Sequence, residues 1–292
     1  MSDQKTIALF GATGMLALPV VKSFLNNGFK VKALVRDVAK AEKLYQHTIE
    51  LHQGSLNSII DIEKVIKGSD AVYCNLSINP ESAPEDFQPE KEGLDNLLSV
   101  ASIMKVSRIG YIASLVQRYE GMDDFHWWVF TLKNQAIAKI KKSGVPYTIF
   151  YPSTFMENWS VGQYRNGDKL LIAGKSRFPM WYIAGEDYGR QVAEAFKKEE
   201  CLNAEFAIQG PEAYTQSQTA DIFAKNNPKP LKIYRLPGFI LSMMAPFNQR
   251  MKYGAKIVKA LNNYPEKFDA EETWKVLGKP KITLEEFAKM EK

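Results

Sequence analysis

"LFGATGMLALPVV", residues 9–21, decides how the rest of the chain is read. An apolar, strand-like run ends at Phe10, Gly11 and Gly14 follow, and a helical pattern starts beside them. Small residues at such a junction let backbone N–H groups approach a diphosphate, and the helix N-terminus adds partial positive charge. Pro19 falls near the first helical turn, where its missing N–H has little to lose. Ala17 stands where the usual fingerprint has a third glycine. One added methyl predicts a slightly wider helix–strand contact and retained binding. Taken alone, a G-x-x-G loop is also what an ordinary tight strand-to-helix turn looks like.

Outward from this stretch, short apolar runs alternate with amphipathic ones. Strands are predicted at 6–10, 29–35, 49–53, 71–76 and 109–113, with helices at 15–27, 38–46, 59–67, 93–105 and 125–142. The last helix stops at Gly144, and "PYTIFY" makes a sixth strand. This is the βαβα rhythm of a parallel sheet covered by helices, and it predicts an α/β fold. After Pro152 the rhythm breaks. Short strands in "KLLIAG", "EFAIQG" and "LKIYRLP" mix with helices near 187–198, 215–225, 239–261, 270–276 and 284–290. Residues 1–152 are therefore expected to form the ligand-binding domain and 153–292 a smaller α+β lobe partly integrated with it.

Composition bounds the function. With 292 residues, 45% of them hydrophobic, the chain can bury one large core or a core plus a lobe. Lys and Arg exceed Asp and Glu by 38 − 33, a net charge of +5, and the basic residues are scattered. That suits an anionic small molecule better than nucleic acid; "KIKKSG" and "NPKPLKIYR" have no interleaved aromatic platforms. Cys74 and Cys201 lie in no CxxC pair and near no His at ligand spacing, so no metal site is predicted and the cytoplasm is the expected compartment. No secretion signal is predicted, and "LPGFILSMMAPFNQRM" is too short and too interrupted for a membrane span.

Arg36, in "KALVRD", sits at the carboxyl edge of the second strand, where a dinucleotide fold presents a residue to the adenosine ribose. An acid there would accept from a 2′-hydroxyl, whereas Arg offers a forked donor to a 2′-phosphate. NADP(H) is therefore preferred, with NAD(H) the alternative. Three more strand ends face the same crevice: Gly54, Ser55 and Leu56 in "QGSLNS", Leu76 and Ser77 in "NLSIN", and Ala113 in "IASLV". They are the predicted walls of the cofactor site.

The combination of "GATGMLA", "LVRD", "QGSLNS", a helical Lys133, "SGVPYTIFYPSTFMEN" and "GEDYGRQVAEAF" resembles the NmrA-like family of atypical short-chain dehydrogenase/reductases. The resemblance covers nearly the whole chain and implies a Rossmann-like, doubly wound parallel sheet with a nicotinamide cofactor. It matches Gly11, Thr13, Gly14, Met15 and Leu16 to the diphosphate loop and Arg36 to the 2′-phosphate selector. Lys133 matches the lysine that holds the nicotinamide ribose, and Ser114 a serine that orients a substrate carbonyl. Tyr151, Pro152, Ser153 and Phe155 match the segment bordering the nicotinamide. The chain departs from the family where a Tyr-x-x-x-Lys pair would place tyrosine, a position occupied by Val129. Ile137 and Tyr151 replace a frequent Glu and Arg.

Hydride transfer to a carbonyl develops negative charge on oxygen, so a donor is needed in place of that tyrosine. His126, seven residues before Lys133 and so two helical turns away on the same face, is a candidate general acid; a helix-start residue beside Asp123 and Asp124 is the competing reading. Trp127, in the aromatic run "FHWWVF", and Asn158, in "FMENW", are candidate substrate contacts. Glu157 is read as a cap of the next element, and Asp187 as a helix cap. The Met-rich run "FILSMMAPFNQRM" reads as core filling, or as a lid over the pocket. Three functions follow in order: an NADPH-dependent oxidoreductase reducing an apolar or aromatic carbonyl or quinone, a non-catalytic NADP(H) sensor with a protein partner, and a sugar-nucleotide epimerase.

Overall fold

Val, Ile, Tyr and Phe in the short apolar runs pack well on a pleated surface covered on both faces, and the runs at 6–10, 71–74, 109–112 and 147–152 become buried strands, whereas 50–53 forms a half-exposed edge strand. The computed structural model describes residues 4–162, 164–244 and 248–291. Its strands are β1 (Thr6–Phe10), β2 (Lys30–Val35), β3 (Glu50–Gln53), β4 (Ala71–Cys74), β5 (Ile109–Ile112), β6 (Tyr147–Pro152), β7 (Arg165–Asn166), β8 (Lys169–Ala173), β9 (Ala204–Ile208) and β10 (Lys232–Leu236). The helices are α1 (Ala17–Asn26), α2 (Val38–Tyr45), α3 (Ile59–Ile66), α4 (Glu92–Ile103), α5 (Trp128–Lys142), α6 (Gly185–Lys197), α7 (Gln216–Asn226), α8 (Gly238–Met244), α9 (Gln249–Asn263), α10 (Glu271–Leu277) and α11 (Leu284–Lys289).

A seven-stranded sheet runs in the order β3-β2-β1-β4-β5-β6-β9, every pair parallel. One face is covered by α3, α4 and α5, the other by α1, α2 and α6. This is the doubly wound Rossmann-like sheet that the rhythm predicts. "EFAIQG" does not stay in the lobe: it supplies β9, which pairs with β6, and its Phe206, Ala207 and Ile208 are buried in the central core. A second sheet, β10-β8-β7, and the helices α7 and α11 enclose a separate core around Trp159, Tyr164, Tyr182 and Phe223.

Two predicted helices are corrected. The expected helix from residue 125 starts at Trp128, because Asp123 and Asp124 have left-handed backbone and Trp127 is extended. The expected single helix 239–261 is instead α8 followed by α9, whose N-terminus is capped by the Asn248 side chain on the Met251 N–H. Residues 245–247, inside the Met-rich run, lie outside the described residues. Among the described residues no helix is long and apolar enough to cross a membrane, and no His/Cys/Asp/Glu group could hold a metal ion.

Candidate functional site

At the carboxyl end of β1, Gly11 turns with φ +87°, which lets its carbonyl oxygen accept from both the Gly14 N–H (3.2 Å) and the Asn75 side-chain amide (3.1 Å). The Tyr45 hydroxyl, on α2, donates to the Ala12 carbonyl at 2.6 Å and ties the loop to the sheet. Helix α1 then begins with Leu16 at its N-cap and no side chain capping its first turn. The Ala17 N–H that opens it donates to the Gly14 carbonyl at 3.0 Å, and around this turn Gly14 and Met15 are exposed and Thr13 and Leu16 half-buried. Ala17 is fully buried. Close helix packing is made elsewhere: a Cβ on Gly189 of α6 would stand 2.5 Å from the Pro19 carbonyl, so glycine there lets α1 and α6 approach.

Arg36, one residue beyond β2, is exposed and in no ion pair, whereas Asp37 caps α2 by accepting from the Lys40 N–H at 2.9 Å. Parallel register brings the ends of β3, β4 and β5 to the same sheet edge as Gly11. There the Gly54 N–H donates to the Val35 carbonyl and the Ser55 N–H to Asp61, while the Leu56 carbonyl accepts from Asn96. Leu76 and Ala113 are buried and Ser77 is exposed. After β6 the side chains turn to internal partners. The Tyr151 hydroxyl donates to Glu205 (2.7 Å) under the Arg118 guanidinium, and the Ser153 hydroxyl donates to Glu266 (2.8 Å). Pro152 is buried, and Phe155 packs edge-on against Tyr188.

Lys133 lies on α5 with its side chain 15% exposed, and its Nζ donates to Glu90 Oε1 at 2.7 Å. The same oxygen accepts the Tyr111 hydroxyl at 2.5 Å, and the Glu90 side chain is 0% exposed. Burial first, and then the Glu90 charge, push the Tyr111 hydroxyl far above its ordinary pKa, so it stays a donor and is no proton source. Glu90 was not legible in the sequence: "PEKEG" reads as solvated charge, and 43 residues separate it from Lys133. Tyr111 carried one signal, a phenol in an otherwise apolar buried strand, which needs a partner.

Ser114 opens a short 3₁₀ turn, its N–H donating to the Gln117 side chain at 3.0 Å, and Gln117 in turn reaches Asn134 on α5. The helical relation of His126 to Lys133 does not hold, because His126 precedes α5. Its side chain is 74% exposed and its Nδ1 pairs with Glu120 at 3.1 Å. Glu120 also accepts from the Trp127 N–H at 2.9 Å, which places a carboxylate at the positive end of α5. Val129 is buried in the core against the sheet.

A cavity of about 610 Å³ opens between the loop after β4, the start of α5, and α9. Trp127, Trp128 and Tyr253 line it; Asn158 does not. Burial, assisted by the charge of Glu90, pushes the Tyr253 hydroxyl up to about 12, so it stays protonated.

Glu157 caps α6, accepting from the Gly185 N–H at 2.7 Å, and burial raises its carboxyl from 4.5 to about 7. Asp187 is no cap. Its Oδ2 accepts from the Lys281 and Ile282 N–H groups, and its Oδ1 pairs with Arg190, which pins the C-terminal segment to α6. A carboxyl whose pKa rises on folding loses stability as pH climbs from 4.5 to about 7 and keeps that deficit above it. Glu157→Gln is therefore expected to gain stability relative to the natural chain between pH 5 and 8, by on the order of 2 to 3 kcal/mol. Urea unfolding at both pH values checks it; an equal difference at the two would refute the shift.

A doubly wound parallel sheet, an uncapped helix N-terminus behind a left-handed glycine and a free arginine at the second strand end define a dinucleotide-binding protein. The chain matches the NmrA-like family over residues 3–288 and belongs to it. It is 22% identical to the photosystem II assembly factor Ycf39 of Trieres chinensis over 286 residues, 93% of this chain and 88% of that one. It is also 22% identical to the NAD(P)H azoreductase of Xenophilus azovorans over 293 residues, covering 97% and 96% of the two chains. Among solved structures, the NADPH complex of the NADPH-dependent quinone oxidoreductase QOR2 from Escherichia coli superposes with a TM-score of 0.72 at 18% identity, covering 97% and 98%.

Proposed function

We propose that this chain binds NADP(H) and reduces a conjugated carbonyl or quinone. The observation that carries this reading is the fully buried Glu90 holding the Lys133 ammonium on α5, the helix whose first residue, Trp128, lines an aromatic-walled cavity. Gly11 to Leu16 and the first turn of α1 fit a diphosphate, since the carbonyl that would crowd it is drawn back onto Asn75 and no side chain competes for the N–H groups. Arg36, unpaired at the edge, fits a 2′-phosphate. Lys133 spends one N–H on Glu90 and keeps two for the nicotinamide ribose. NADPH, when bound, supplies a hydride. With Val129 in place of a phenol, the chain offers no proton donor at that position, and a substrate whose reduced anion is delocalised needs none. The azoreductase and quinone oxidoreductase relatives fit the same substrate chemistry.

A non-catalytic NADP(H)-sensing role is the second reading, favoured by Val129 and by the assembly-factor relatives. A sugar-nucleotide epimerase comes third, since it leans on the absent phenol. Fluorescence titration with NADPH and NADH, followed by NADPH oxidation across a panel of quinones and enones, separates them. Turnover of a quinone is expected, and Arg36→Ala is expected to weaken NADPH about tenfold or more while leaving NADH unchanged. Tight NADPH binding with no turnover across the panel would replace the reductase by the sensor. Equal affinity for the two cofactors would remove the phosphate assignment.

A further inference from the structure

The larger cavity carries a charge pattern that hydride transfer does not use. Lys252, Lys256 and Lys259 stand at i, i+4 and i+7 of α9, so one face of the helix presents three ammonium groups to the cavity. No Asp or Glu is among the described residues that line it. None of the three lysines is in an ion pair among the described residues. Lys256 is held in place, its Nζ donating to the His126 carbonyl at 2.9 Å and standing 5.2 Å from the Phe125 ring centre; Lys259 stands 5.9 Å from the same ring.

Like charges one helical turn apart repel, and the His126 carbonyl and the Phe125 ring face beside Lys256 and Lys259 offset this only in part, with no carboxylate among the described lining residues. Across the cavity from α9 stand Trp127 and Trp128, and Tyr253 of α9 meets Trp127 edge-on at 4.9 Å. Aromatic surface selects a planar ring, and the lysine row selects an anion attached to it. The volume of about 610 Å³ is ample for a fused two- or three-ring system.

We propose that this cavity takes a planar aromatic or quinonoid molecule bearing an acidic substituent, its ring against Trp127, Trp128 and Tyr253 and its sulfonate, carboxylate or phosphate on Lys252, Lys256 and Lys259. The assignment of that molecule as substrate rests on the reductase reading; its binding does not. The full chain is titrated with anthraquinone-2-sulfonate and with the uncharged 2-(hydroxymethyl)anthraquinone, following tryptophan fluorescence in the presence of NADP+. The sulfonate is expected to bind about tenfold more tightly at low salt, with the margin shrinking in about 0.5 M salt. In the triple variant Lys252→Gln, Lys256→Gln, Lys259→Gln the margin is expected to fall to about twofold or less, whereas Trp128→Ala weakens both ligands and preserves the ratio. Equal affinity for the two ligands, or an unchanged margin in the triple variant, overturns the proposal. Sulfonate preference without NADPH oxidation leaves the proposal standing and removes the reductase reading. Oxidation by the neutral compound with no sulfonate preference does the reverse.

Discussion

Lys133→Met is expected to destabilise the fold by about 3 to 5 kcal/mol, because it leaves the buried Glu90 carboxylate without its cation. The remaining Tyr111 donor satisfies one oxygen in part, but Glu90 Oε2 already has no partner among the described residues. An uncompensated charge at that depth keeps most of its desolvation penalty, unlike the surface pairs on α2 or α10, whose loss is worth under about 1 kcal/mol. The double variant Glu90→Gln, Lys133→Met is expected to recover most of the loss, since a neutral amide carries a far smaller penalty. Urea unfolding of the two single variants and the double measures the coupling. If Lys133→Met costs less than about 1 kcal/mol, or the two changes simply add, the lysine is not held by Glu90 and its positioning role falls.

Gly11→Ala is expected to destabilise the fold by about 2 to 4 kcal/mol and to weaken NADPH binding at least a hundredfold. The backbone at residue 11 has φ +87°, which an L side chain adopts at a cost, and the added Cβ would overlap the Asn75 carbonyl. Backbone atoms cannot swing away as a flexible side chain does, so the loop itself must shift. That shift moves the carbonyl now held by Asn75 and the N–H groups behind it, the groups proposed to hold the diphosphate. Thermal unfolding and NADPH titration read the two effects separately. A variant that melts lower yet binds NADPH within threefold would show that the loop is structural only.

Much of this could be read along the chain. The apolar runs at 6–10, 30–35, 71–74, 109–112 and 147–152 become parallel strands because a strand buried on both faces tolerates few polar residues. The placement of Gly11 and Arg36 was legible because it depends on local geometry: one follows the first strand, the other the second. Helix boundaries were less so. His126 was expected on α5, but the turn through Asp123 and Asp124 depends on left-handed backbone that an aspartate pair only permits and does not require.

What lies far apart in sequence and close in space was not legible. Glu90 reaches Lys133 only because α4 and α5 cover the same face of the sheet, and Tyr111 joins them because β5 runs beneath. The lysine row of α9 reads as solvated charge until that helix is laid across Trp127 and Trp128. Even the close packing lost with the third glycine returns on another helix, at Gly189 against Pro19. The sequence by itself determined the parallel sheet and the glycine turn after its first strand, because strand periodicity and a tight turn are set by neighbouring residues. Only the tertiary structure decided which carboxylate balances Lys133 and which residues wall the cavity, because burial of a charge and the shape of a pocket arise from contacts between distant segments.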